Sequence, residues 1–370
     1  MIIFKYPKLV QKEILDNMNH IDILLLSFVS KNMKKLIKTS QKKRFESIRA
    51  IDYNYDKEYG EAKVYIPDER RPKTSNPEPV IDDLILSIEK RNNALNGYFQ
   101  LNVSGKIIDF RLSGYHKIPE AYFLGCEKES VIQSIHNHFL DVFGNSMDYN
   151  WQSQFWDRPL KGFTPFLPKL KNVSYFVGMI LEGHFADVKN FDSFISSSPV
   201  LKTIQLLVMA KTEPMNPESK FYDTESIHIH TPMFNGPDFL RHFRGKHIGL
   251  NCNRYEKSNL IDFVKRWKSG KSFQNLEFSY IEIRYDNQFL NQILNEIGAK
   301  FIDATKQPPT YAVRQRFDWN RKNDTTEPFM SHAYVVRESD NLVASAGIQN
   351  NAFFFGVWDK TEEEFLRIVE

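Results

Sequence analysis

The sequence predicts an α+β protein in which three short amino-terminal helices precede an irregular stack of alternating strands and helices, with an antiparallel hairpin at the carboxyl end. Two patterns support this fold class. Apolar residues recur every three or four positions over roughly the first forty residues, which is the spacing of amphipathic helices. From about residue 170 onward, strand-like apolar runs alternate with amphipathic segments, and this alternation is typical of α/β units.

The first helix is predicted to begin at Pro7. Proline suits the first turn of a helix because no backbone N–H is needed there and its ring fixes a helical φ. Val10, Ile14 and Met18 follow at four-residue intervals, so they lie on one face. The first helix is therefore amphipathic, with one face suited to packing against other helices.

The next two helices carry more apolar surface than a small bundle buries. Leu24 and Phe28 define a stripe on the second helix, and Ile23 and Leu26 lie outside it, so this helix is apolar on almost every side. Ser30 supplies an N-cap for a third helix. Three helices this short enclose only a small core. The surplus apolar surface predicts that another chain or another domain covers it.

The order of residues along these helices resembles an F-box. That motif has a Leu-Pro start, an aliphatic first helix, an Asp-Leu-Leu-type centre, and Val-Ser-Lys before a basic third helix. The matching positions are Tyr6-Pro7, Val10, Ile14-Leu15, Met18, Asp22-Ile23-Leu24, Leu26, Val29-Ser30-Lys31 and Leu36-Ile37. Tyr6 stands where the family usually has leucine, and Met33 where it has tryptophan or phenylalanine.

The F-box resemblance implies that this segment docks a Skp-family linker and, through it, the cullin core of an SCF (Skp–cullin–F-box) ubiquitin ligase. The residues assigned to linker binding are Pro7, Val10, Ile14, Leu15, Ile23, Leu24, Leu26, Val29 and Leu36. A single apolar stripe usually forms ordinary core, but the full ordered set of motif positions favours the F-box interpretation. We therefore expect residues 1–41 to form an F-box module.

Composition limits the function classes further. The apolar share of 41% and the charged share of 26% are typical of a globular protein, and a net charge of +3 does not by itself indicate nucleic-acid binding. Two cysteines, Cys126 and Cys252, exclude a disulfide framework and a cysteine-rich zinc site. No apolar run fits a signal peptide or a membrane span. We expect a soluble protein of the cytoplasm and/or nucleus, without a membrane partner.

A basic run follows the second helix. Its members are Lys31, Lys34, Lys35, Lys38, Lys42, Lys43 and Arg44. We interpret the run as a solvated helix face that continues into an exposed connector. A surface for an acidic partner and a nuclear-import signal are the alternatives.

Residues 42–169 are predicted to form a β-rich connecting region. An exposed proline-rich loop occupies residues 67–79. The segment Val80–Lys90 fits a helix or a strand, because so short an apolar run has no clear period. Ser104-Gly105 between two alternating runs predicts a β-hairpin, and Ser130–Phe143 predicts a helix.

Residues 170–370 are predicted to form a repeat-like domain. Strand-and-helix units recur irregularly at roughly 25 to 30 residues, similar to an imperfect leucine-rich-repeat-like stack in which neighbours cover each other's apolar faces. A clean repeat consensus is absent. Near the end, a turn at Ser339-Asp340-Asn341 separates two strands, and Phe353–Trp358 supplies a third strand of an antiparallel meander.

A helix, a glycine turn and a strand follow one another between Ser258 and Ile283. They carry Asn259, Phe263, Lys265, Trp267, Gly270, Leu276 and Glu277. This pattern, together with the terminal hairpin, resembles the F-box-associated domain of nematode F-box proteins. The pairing of the two resemblances implies a substrate receptor, in which one end docks the ligase and the other captures a protein target.

The sequence contains no arrangement that predicts catalysis. It lacks a phosphate-binding loop, a dinucleotide-binding glycine pattern and a nucleophile elbow. The pairs His136-x-His138 and His228-x-His230 lack the third and fourth ligands that a zinc site needs. We therefore predict a protein that is not an enzyme and holds no metal or cofactor.

Protein binding has better candidates. His228, His230, Tyr280 and Tyr285 lie on predicted strands and are of the residue types that anchor interfaces. A basic and aromatic segment at residues 314–322 is interpreted as a solvated loop, with phosphate contact or nucleic-acid stacking as alternatives.

The sequence therefore predicts a substrate-recognition adaptor of an SCF-type ubiquitin ligase. The first alternative is a repeat-like interaction protein whose F-box-like helices only cap the stack, outside any ligase. The weaker alternative is a nucleic-acid binder that uses residues 31–44 and 314–322.

Overall fold

The structure is a computed structural model. It describes residues 3–56, 58–67, 83–92, 96–114, 117–155, 166–181, 188–209, 213–230, 236–251, 256–282, 287–313, 326, 328–349 and 351–369. The chain divides into two compact units. Unit 1 comprises Met1–Gln154 and Pro165–Phe176, and unit 2 comprises Phe155–Thr164 and Val177–Glu370.

Helices open unit 1, and one longer helix follows later. They are α1 (Lys8–Asp16), α2 (His20–Val29), α3 (Lys31–Ser40), α4 (Lys42–Glu46) and α5 (Lys128–Phe143). The sequence predicted the first three and α5. It placed α4 in a connector, because five residues are too few to show a helical period, and burial of Phe45 against Phe143 at 4.8 Å between ring centroids holds this helix.

The strands of unit 1 form a mixed sheet. They are β1 (Ala50–Asp56), β2 (Glu61–Tyr65), β3 (Leu84–Lys90), β4 (Phe99–Val103), β5 (Lys106–Leu112), β6 (Pro119–Phe123) and β7 (Asp148–Phe155). Their order is β7-β1-β2-β3-β6-β5-β4. Pairs β1–β7 and β3–β6 are parallel, and the others are antiparallel.

Local chemistry explains two of these strands. Ser104 and Gly105 have φ values of 49° and 93°, and a tight turn between paired strands needs positive φ at both central residues. The ambiguous segment Val80–Lys90 contains strand β3, whose middle residues are buried without alternation. Burial on both faces removes the period-two pattern that identifies a strand.

The core of unit 1 lies between α5 and the sheet. Phe139 of α5 packs near Tyr53 of β1, and Tyr53 stacks on Trp151 of β7 at 5.7 Å between ring centroids. These side chains are fully or almost fully buried. Each of these large aromatic side chains buries a large apolar area between the helix and the sheet.

Unit 2 also combines strands with helices. Its strands are β8 (Ser174–Leu181, whose first three residues belong to unit 1), β9 (Leu201–Val208), β10 (Ser226–His230), β11 (His247–Asn251), β12 (Phe278–Glu282), β13 (Lys300–Phe301), β14 (Thr310–Tyr311), β15 (Phe329–Met330), β16 (Ala333–Val336), β17 (Leu342–Gln349) and β18 (Ala352–Thr361). Its helices are α6 (Val188–Ser197), α7 (Gly236–His242), α8 (Lys257–Lys268), α9 (Asn287–Glu296) and α10 (Glu362–Arg367).

The strands β9, β10, β11 and β12 lie side by side in chain order and pair in parallel. Helices α7 and α8 connect successive strands within this run. One face of the sheet is dry, because Ile227, Ile248 and Phe355 are completely buried on it. Trp267 of α8 packs edge-on to Phe355 at 5.1 Å, so α8 covers this face.

Charges alternate along the beginning of the parallel strands. Lys202 pairs with Glu225, and Lys246 Nζ lies 2.8 Å from a Glu277 carboxylate oxygen. The four residues directly precede the aligned positions Thr203, Ser226, His247 and Phe278. Because opposite charges meet only in one register, this charge ladder supports the observed strand alignment.

The carboxyl end forms the predicted meander. Strands β16, β17 and β18 are antiparallel neighbours, and β18 pairs with β12. Asn341, in the predicted turn, has φ of 61°. The structure thus agrees with the α+β class, with helices first and large mixed β structure after them. Most of the proline-rich loop, from residue 68 on, lies outside the described residues.

Candidate functional site

A short turn precedes the amino-terminal helices. Ile3 is almost fully buried in a single 3-10 turn and anchors it, while the neighbouring Phe4 stays exposed. The largely buried Gln11 side chain donates from Nε2 to the Tyr6 carbonyl oxygen at 2.7 Å. A buried amide that is paired in this way stabilises the turn, so the chain enters α1 at a fixed angle.

Side chains cap the amino-terminal ends of α2 and α3. Asn19 Oδ1 accepts from the Asp22 backbone N–H at 2.8 Å, which caps α2. Ser30 Oγ accepts from the Met33 N–H at 3.1 Å, which caps α3 as the sequence predicted. Each cap pairs an N–H group that the helix itself leaves unpaired.

Polar bonds also tie α1 to the later helices. Gln41 Nε2 donates to Asp16 Oδ1 at 2.6 Å, and Arg44 Nη1 donates to the Met18 carbonyl at 2.7 Å. Burial, with a smaller contribution from Arg44, lowers the pKa of His20 to about 4. His20 is therefore neutral at physiological pH, and its Nε2 accepts from Arg44 Nε at 3.3 Å.

The inner face of these helices is a dry core. Leu15 and Leu24 are completely buried and Ile23 is 1% exposed, although the sequence assigned all three to linker binding. Helix α2 packs on the rest of unit 1 through Phe28, whose ring lies 5.5 Å from Phe110 of β5. The amino-terminal helices are therefore part of the core of unit 1.

A buried hydrogen bond fastens α2 to α5. Ser27 Oγ donates to the Leu24 carbonyl at 2.6 Å and lies 2.7 Å from His138 Nε2. Because the serine hydroxyl has one hydrogen, His138 Nε2 carries the proton of this second bond. Burial, with a smaller effect of Lys34, lowers the pKa of His138 to about 4, so the ring is neutral.

His136, the other histidine of the His136-x-His138 pair, makes different hydrogen bonds. His136 Nε2 donates to the Lys171 carbonyl at 2.7 Å, and Nδ1 accepts from the Tyr53 hydroxyl at 2.9 Å. Both ring nitrogens are paired, and burial lowers the pKa of His136. Neither histidine is directed toward a metal: the described part of the chain contains no group of three or more potential metal ligands.

Several large apolar side chains are exposed on the amino-terminal helices and on the turn before them. We call Phe4, Tyr6, Leu9, Val10 and Val29 the apolar surface. Their exposed fractions are 48%, 47%, 79%, 40% and 60%. Pro7 is also exposed, and Ile14, Leu26 and Leu36 are half-buried. Apolar groups in this number on one small segment are typical of a site for another macromolecule.

Part of the basic run is neutralised within unit 1. Lys34 and Lys38 both pair with Asp141 of α5, the latter at 3.2 Å. Hydrogen bonding from Lys34 contributes most to a lowered pKa of Asp141. These two lysines therefore fasten α3 to α5, and the cationic face available to a nucleic acid is smaller than the sequence suggests.

Residues 7–45 match the F-box domain. The match covers α1 to α3 and most of α4, so it extends beyond the predicted limit at residue 41. No curated protein and no solved structure matches the chain. F-box domains in general bind Skp-family linkers and serve substrate adaptors of SCF-type ubiquitin ligases. The capped helices, their buried inner side and their exposed outer side therefore belong to an F-box.

A second candidate site lies in unit 2, on the sheet face opposite α8. Strand register places side chains of β9 to β12 on this face in three rungs. We call it the open face. The first rung holds Thr203, Ser226, His247 and Phe278; the second holds Gln205, His228, Gly249 and Tyr280; the third holds Leu207, His230, Asn251 and Glu282.

Gly249 shapes the middle of the open face. A Cβ atom at this position would lie 2.4 Å from Nδ1 of His228, so the imidazole ring occupies the space above the glycine. A side chain on β11 would push the ring away. Because Gly249 has no side chain, the His228 ring lies over β11 and toward Tyr280, which follows Gly249 in the same rung.

A small hairpin covers one end of this face. Strands β14 and β15 bring Tyr311 and Phe329 onto Phe278 and Phe354 in a buried cluster. Tyr280 packs edge-on to Phe354 at 5.2 Å between centroids and is only half-buried. The Tyr280 ring therefore marks the border between the covered aromatic end and the accessible polar end.

The accessible end is polar and weakly acidic. Gln205 Nε2 lies 3.4 Å from His230 Nε2. Partial burial lowers the pKa of His230, although the Glu282 carboxylate acts in the opposite direction. His230 is therefore uncharged at neutral pH. Among the twelve open-face positions, Glu282 is the acidic residue and none is lysine or arginine.

The predicted substrate-binding residues are thus partly brought together. His228, His230 and Tyr280 share the open face, whereas Tyr285 lies outside the described residues, as do residues 314–322. The same face also carries Gln205, Asn251, Gly249 and Glu282, which the sequence did not single out. The available signal was the common spacing of the parallel strands, but register between separate strands is not readable from one sequence.

No helix in the ranges given above is long and apolar enough to cross a membrane.

Proposed function

We propose that this protein is a substrate-recognition adaptor of an SCF-type ubiquitin ligase. The observation that carries the proposal is the F-box match at residues 7–45, together with the exposed apolar side chains on these helices and on the turn before them. A Skp-family linker covers that surface in the complex and joins the chain to the cullin core. The adaptor performs no chemistry; it raises the local concentration of a target beside the ubiquitin-charged enzyme.

The nine predicted linker-binding residues divide into two roles under this proposal. Pro7, Val10 and Val29 are exposed and contact the linker directly, and the half-buried Ile14, Leu26 and Leu36 border the contact. The buried Leu15, Ile23 and Leu24 act from beneath by holding α1 and α2 in place. Phe4, Tyr6 and Leu9 join the direct contacts, because they are among the most exposed apolar side chains of the segment.

Unit 2 is the substrate-binding part in this proposal, with His228, His230 and Tyr280 on its binding face. The sequential parallel strands β9 to β12, with α7 and α8 between them, support a leucine-rich-repeat-like arrangement in this region. We assign unit 2 to the F-box-associated domain of nematode F-box proteins on the residues Asn259, Phe263, Lys265, Trp267, Gly270, Leu276 and Glu277.

The test is co-expression with a Skp-family linker and a binding measurement on the purified chains. Leu9→Asp combined with Val29→Ser makes the apolar surface polar without touching the core, so we expect linker affinity to fall at least about tenfold. The matched control is Ile107→Asp, since Ile107 is 64% exposed on β5 of the same unit. The control keeps wild-type affinity.

Thermal unfolding of each variant separates lost binding from lost folding. Substitution of exposed residues leaves the melting temperature within a few degrees of wild type. Full linker affinity in the Leu9/Val29 double variant contradicts the docking proposal. Absence of linker binding by a folded wild-type chain favours the interaction protein outside a ligase.

A further inference from the structure

A pocket of about 210 Å3 lies between α7 and α8 of unit 2. Pro237, Leu240 and Phe263 form its apolar part. Leu240 and Phe263 are almost fully buried, so core packing fixes this part of the wall. Pockets that take whole small-molecule ligands usually have volumes of about 300–1,000 Å3. The smaller volume here suits a single chemical group, such as one side chain of another protein.

Arg266 of α8 lines this pocket and is ordered by its neighbours. Its Nη2 donates to the Arg241 carbonyl oxygen at 2.9 Å and to Ser272 Oγ at 2.8 Å. Its guanidinium carbon lies 5.6 Å from the centre of the Phe273 ring, which is buried and packs edge-on against Phe263. Because the guanidinium is already ordered, it loses less conformational freedom when it binds a ligand.

Arg266 also keeps hydrogen-bond donors that the fold does not use. An arginine has five N–H groups, and the two bonds from Nη2 use both hydrogens of that nitrogen. Within the described ranges, no carboxylate forms an ion pair with Arg266. The segments before α7 and α8, residues 231–235 and 252–255, contain no aspartate or glutamate. The N–H groups on Nε and Nη1 therefore remain for a ligand.

The charges on the pocket wall favour a ligand with one negative charge. Arg241 is exposed and makes a long ion pair with Asp238, at 3.9 Å. Asp262 is exposed and lies one turn before Arg266. The two arginines and the aspartate give the described lining one net positive charge. A carboxylate balances this charge, whereas a phosphate group carries about −1.5 to −2 and is repelled more strongly by Asp262.

We propose that this pocket binds the carboxylate side chain of a glutamate or aspartate from an acidic segment of the substrate protein. A carboxylate oxygen accepts from an unused N–H of Arg266, and Arg241 supplies a second positive charge. The methylene groups of the ligand side chain contact the apolar part of the pocket. The inference rests on the proposed role of unit 2 as the substrate-binding part, because that role assigns the segment to a substrate.

The experiment uses the full chain, both alone and in complex with the Skp-family linker. The probes are immobilised twelve-residue peptides with one fixed central residue: glutamate, aspartate, glutamine, phosphoserine or lysine. Their flanks are random but contain no acidic residue. We expect glutamate and aspartate peptides to be retained about tenfold more than glutamine peptides, the size of one charge-assisted hydrogen bond. Phosphoserine and lysine peptides should be retained less than the two carboxylate peptides.

Removal of one positive charge from α8 tests the role of Arg266. Arg266→Gln should lower the retention of glutamate peptides to that of glutamine peptides. Lys265→Gln is the matched control, because Lys265 is exposed on the same helix, does not line the pocket, and loses the same charge. This control should keep the preference for glutamate. Thermal unfolding of both variants separates lost binding from lost folding.

A second variant predicts a gain of binding, which a folding defect cannot produce. Asp262→Asn removes the negative charge from the pocket wall, so retention of glutamate and phosphoserine peptides should rise about two- to fivefold, the size of one exposed charge–charge interaction. Asp359→Asn is its control, because Asp359 is an exposed carboxylate on β18 of the same unit. Retention by this control should equal that of wild type.

The outcomes separate this inference from the proposed function. Equal retention of glutamate and glutamine peptides by an intact linker complex overturns only the inference. A glutamate preference that persists in Arg266→Gln, or that Lys265→Gln loses equally, overturns it as well. Stronger retention of phosphoserine than of glutamate by the wild-type chain overturns the carboxylate assignment. A chain that binds no linker yet shows an Arg266-dependent glutamate preference contradicts the ligase role and supports the carboxylate site.

Discussion

The F-box helices and the open face of unit 2 present opposite kinds of surface. The apolar surface consists of large side chains, such as Leu9 and Val29, whose exposed parts make no polar contact that fixes their orientation. On the open face, polar groups such as Gln205 and His230 are held by neighbours across strands. One surface offers apolar area, and the other offers oriented donors and acceptors.

This difference corresponds to two kinds of recognition. Burying apolar area at about 25 cal/mol per Å2 gives affinity but little discrimination, which suits one partner shared by many adaptors. Oriented polar groups reject a wrong ligand because they are left unpaired, which suits a particular target. Under the proposed function, the same chain therefore uses one surface for attachment to the ligase and another for selection of a target.

The largest expected effect on stability distinguishes core residues of the F-box from its surface residues. Leu24→Ala removes a completely buried side chain and should lower the free energy of unfolding by about 2–5 kcal/mol through lost burial and a cavity. Val29→Ala, on the same helix but 60% exposed, should change it by less than about 0.5 kcal/mol. Urea unfolding of the whole chain measures both, and equal effects would contradict the division.

A smaller effect tests a buried polar contact in the core of unit 1. Tyr53→Phe removes the donor to His136 Nδ1 and leaves a buried acceptor unpaired, so we expect a loss of about 1–3 kcal/mol in unfolding free energy. The control is Tyr6→Phe, since Tyr6 is about half exposed. A Tyr53 variant as stable as this control would show that the hydrogen bond contributes nothing.

The pH dependence of the stability of unit 1 provides a third test. Burial lowers the pKa of His138 from 6.5 to about 4, so between these values the unfolded state binds a proton that the folded state does not. This histidine therefore makes stability decline as pH falls from 6.5 to 4, with no further decline from this group below that range. Glu61, whose pKa burial raises to about 7, acts in the opposite direction.

Comparison of wild type with a His138 variant isolates the contribution of this histidine to the pH dependence of stability. His138→Asn should be less stable than wild type at pH 7, because the bond to Ser27 is disturbed, and the gap should narrow toward pH 4. Urea unfolding at several pH values measures this gap. A gap that stays constant from pH 7 to 4 would contradict a neutral buried histidine.

The smallest effect concerns the charge ladder of unit 2. Glu225→Gln removes the partner of Lys202 near the surface, so we expect a change below about 1 kcal/mol in unfolding free energy. Lys202→Gln removes the other member of the same ion pair, so it should give a change of the same small size. Urea unfolding measures both variants, and a loss far above about 1 kcal/mol in either would contradict a weak, solvent-screened pair.

The sequence predicted elements whose signal is local. The Ser104-Gly105 hairpin and the Ser30 cap each depend on a few adjacent residues, and both are present in the structure. Strand β3 was ambiguous because burial on both sides removes its alternation. Helix α4 was missed because its support comes from Phe143, almost a hundred positions away along the printed sequence.

The candidate sites show more strongly that a local sequence pattern does not reveal contacts between distant residues. The partners of His136 and His138 are 83 and 111 residues away in sequence, so no local pattern showed that these histidines are internal hydrogen-bonding groups. Equally, Asn251 and Glu282 belong to different strands and meet only through register. Local periodicity and residue order identified the F-box segment, but pairing across the fold decides which polar groups share a surface.

The bond between Ser27 and His138 has a consequence for how the protein competes inside a cell. Because α2 is fastened to α5, a chain in which unit 1 has unfolded no longer presents the apolar surface. Under the proposed function, a linker at a hundred times its dissociation constant returns about 2.7 kcal/mol of stability to unit 1. Under the same proposal, adaptors with a damaged unit 1 bind a shared linker less well than intact ones, so folding would limit which chains enter the ligase.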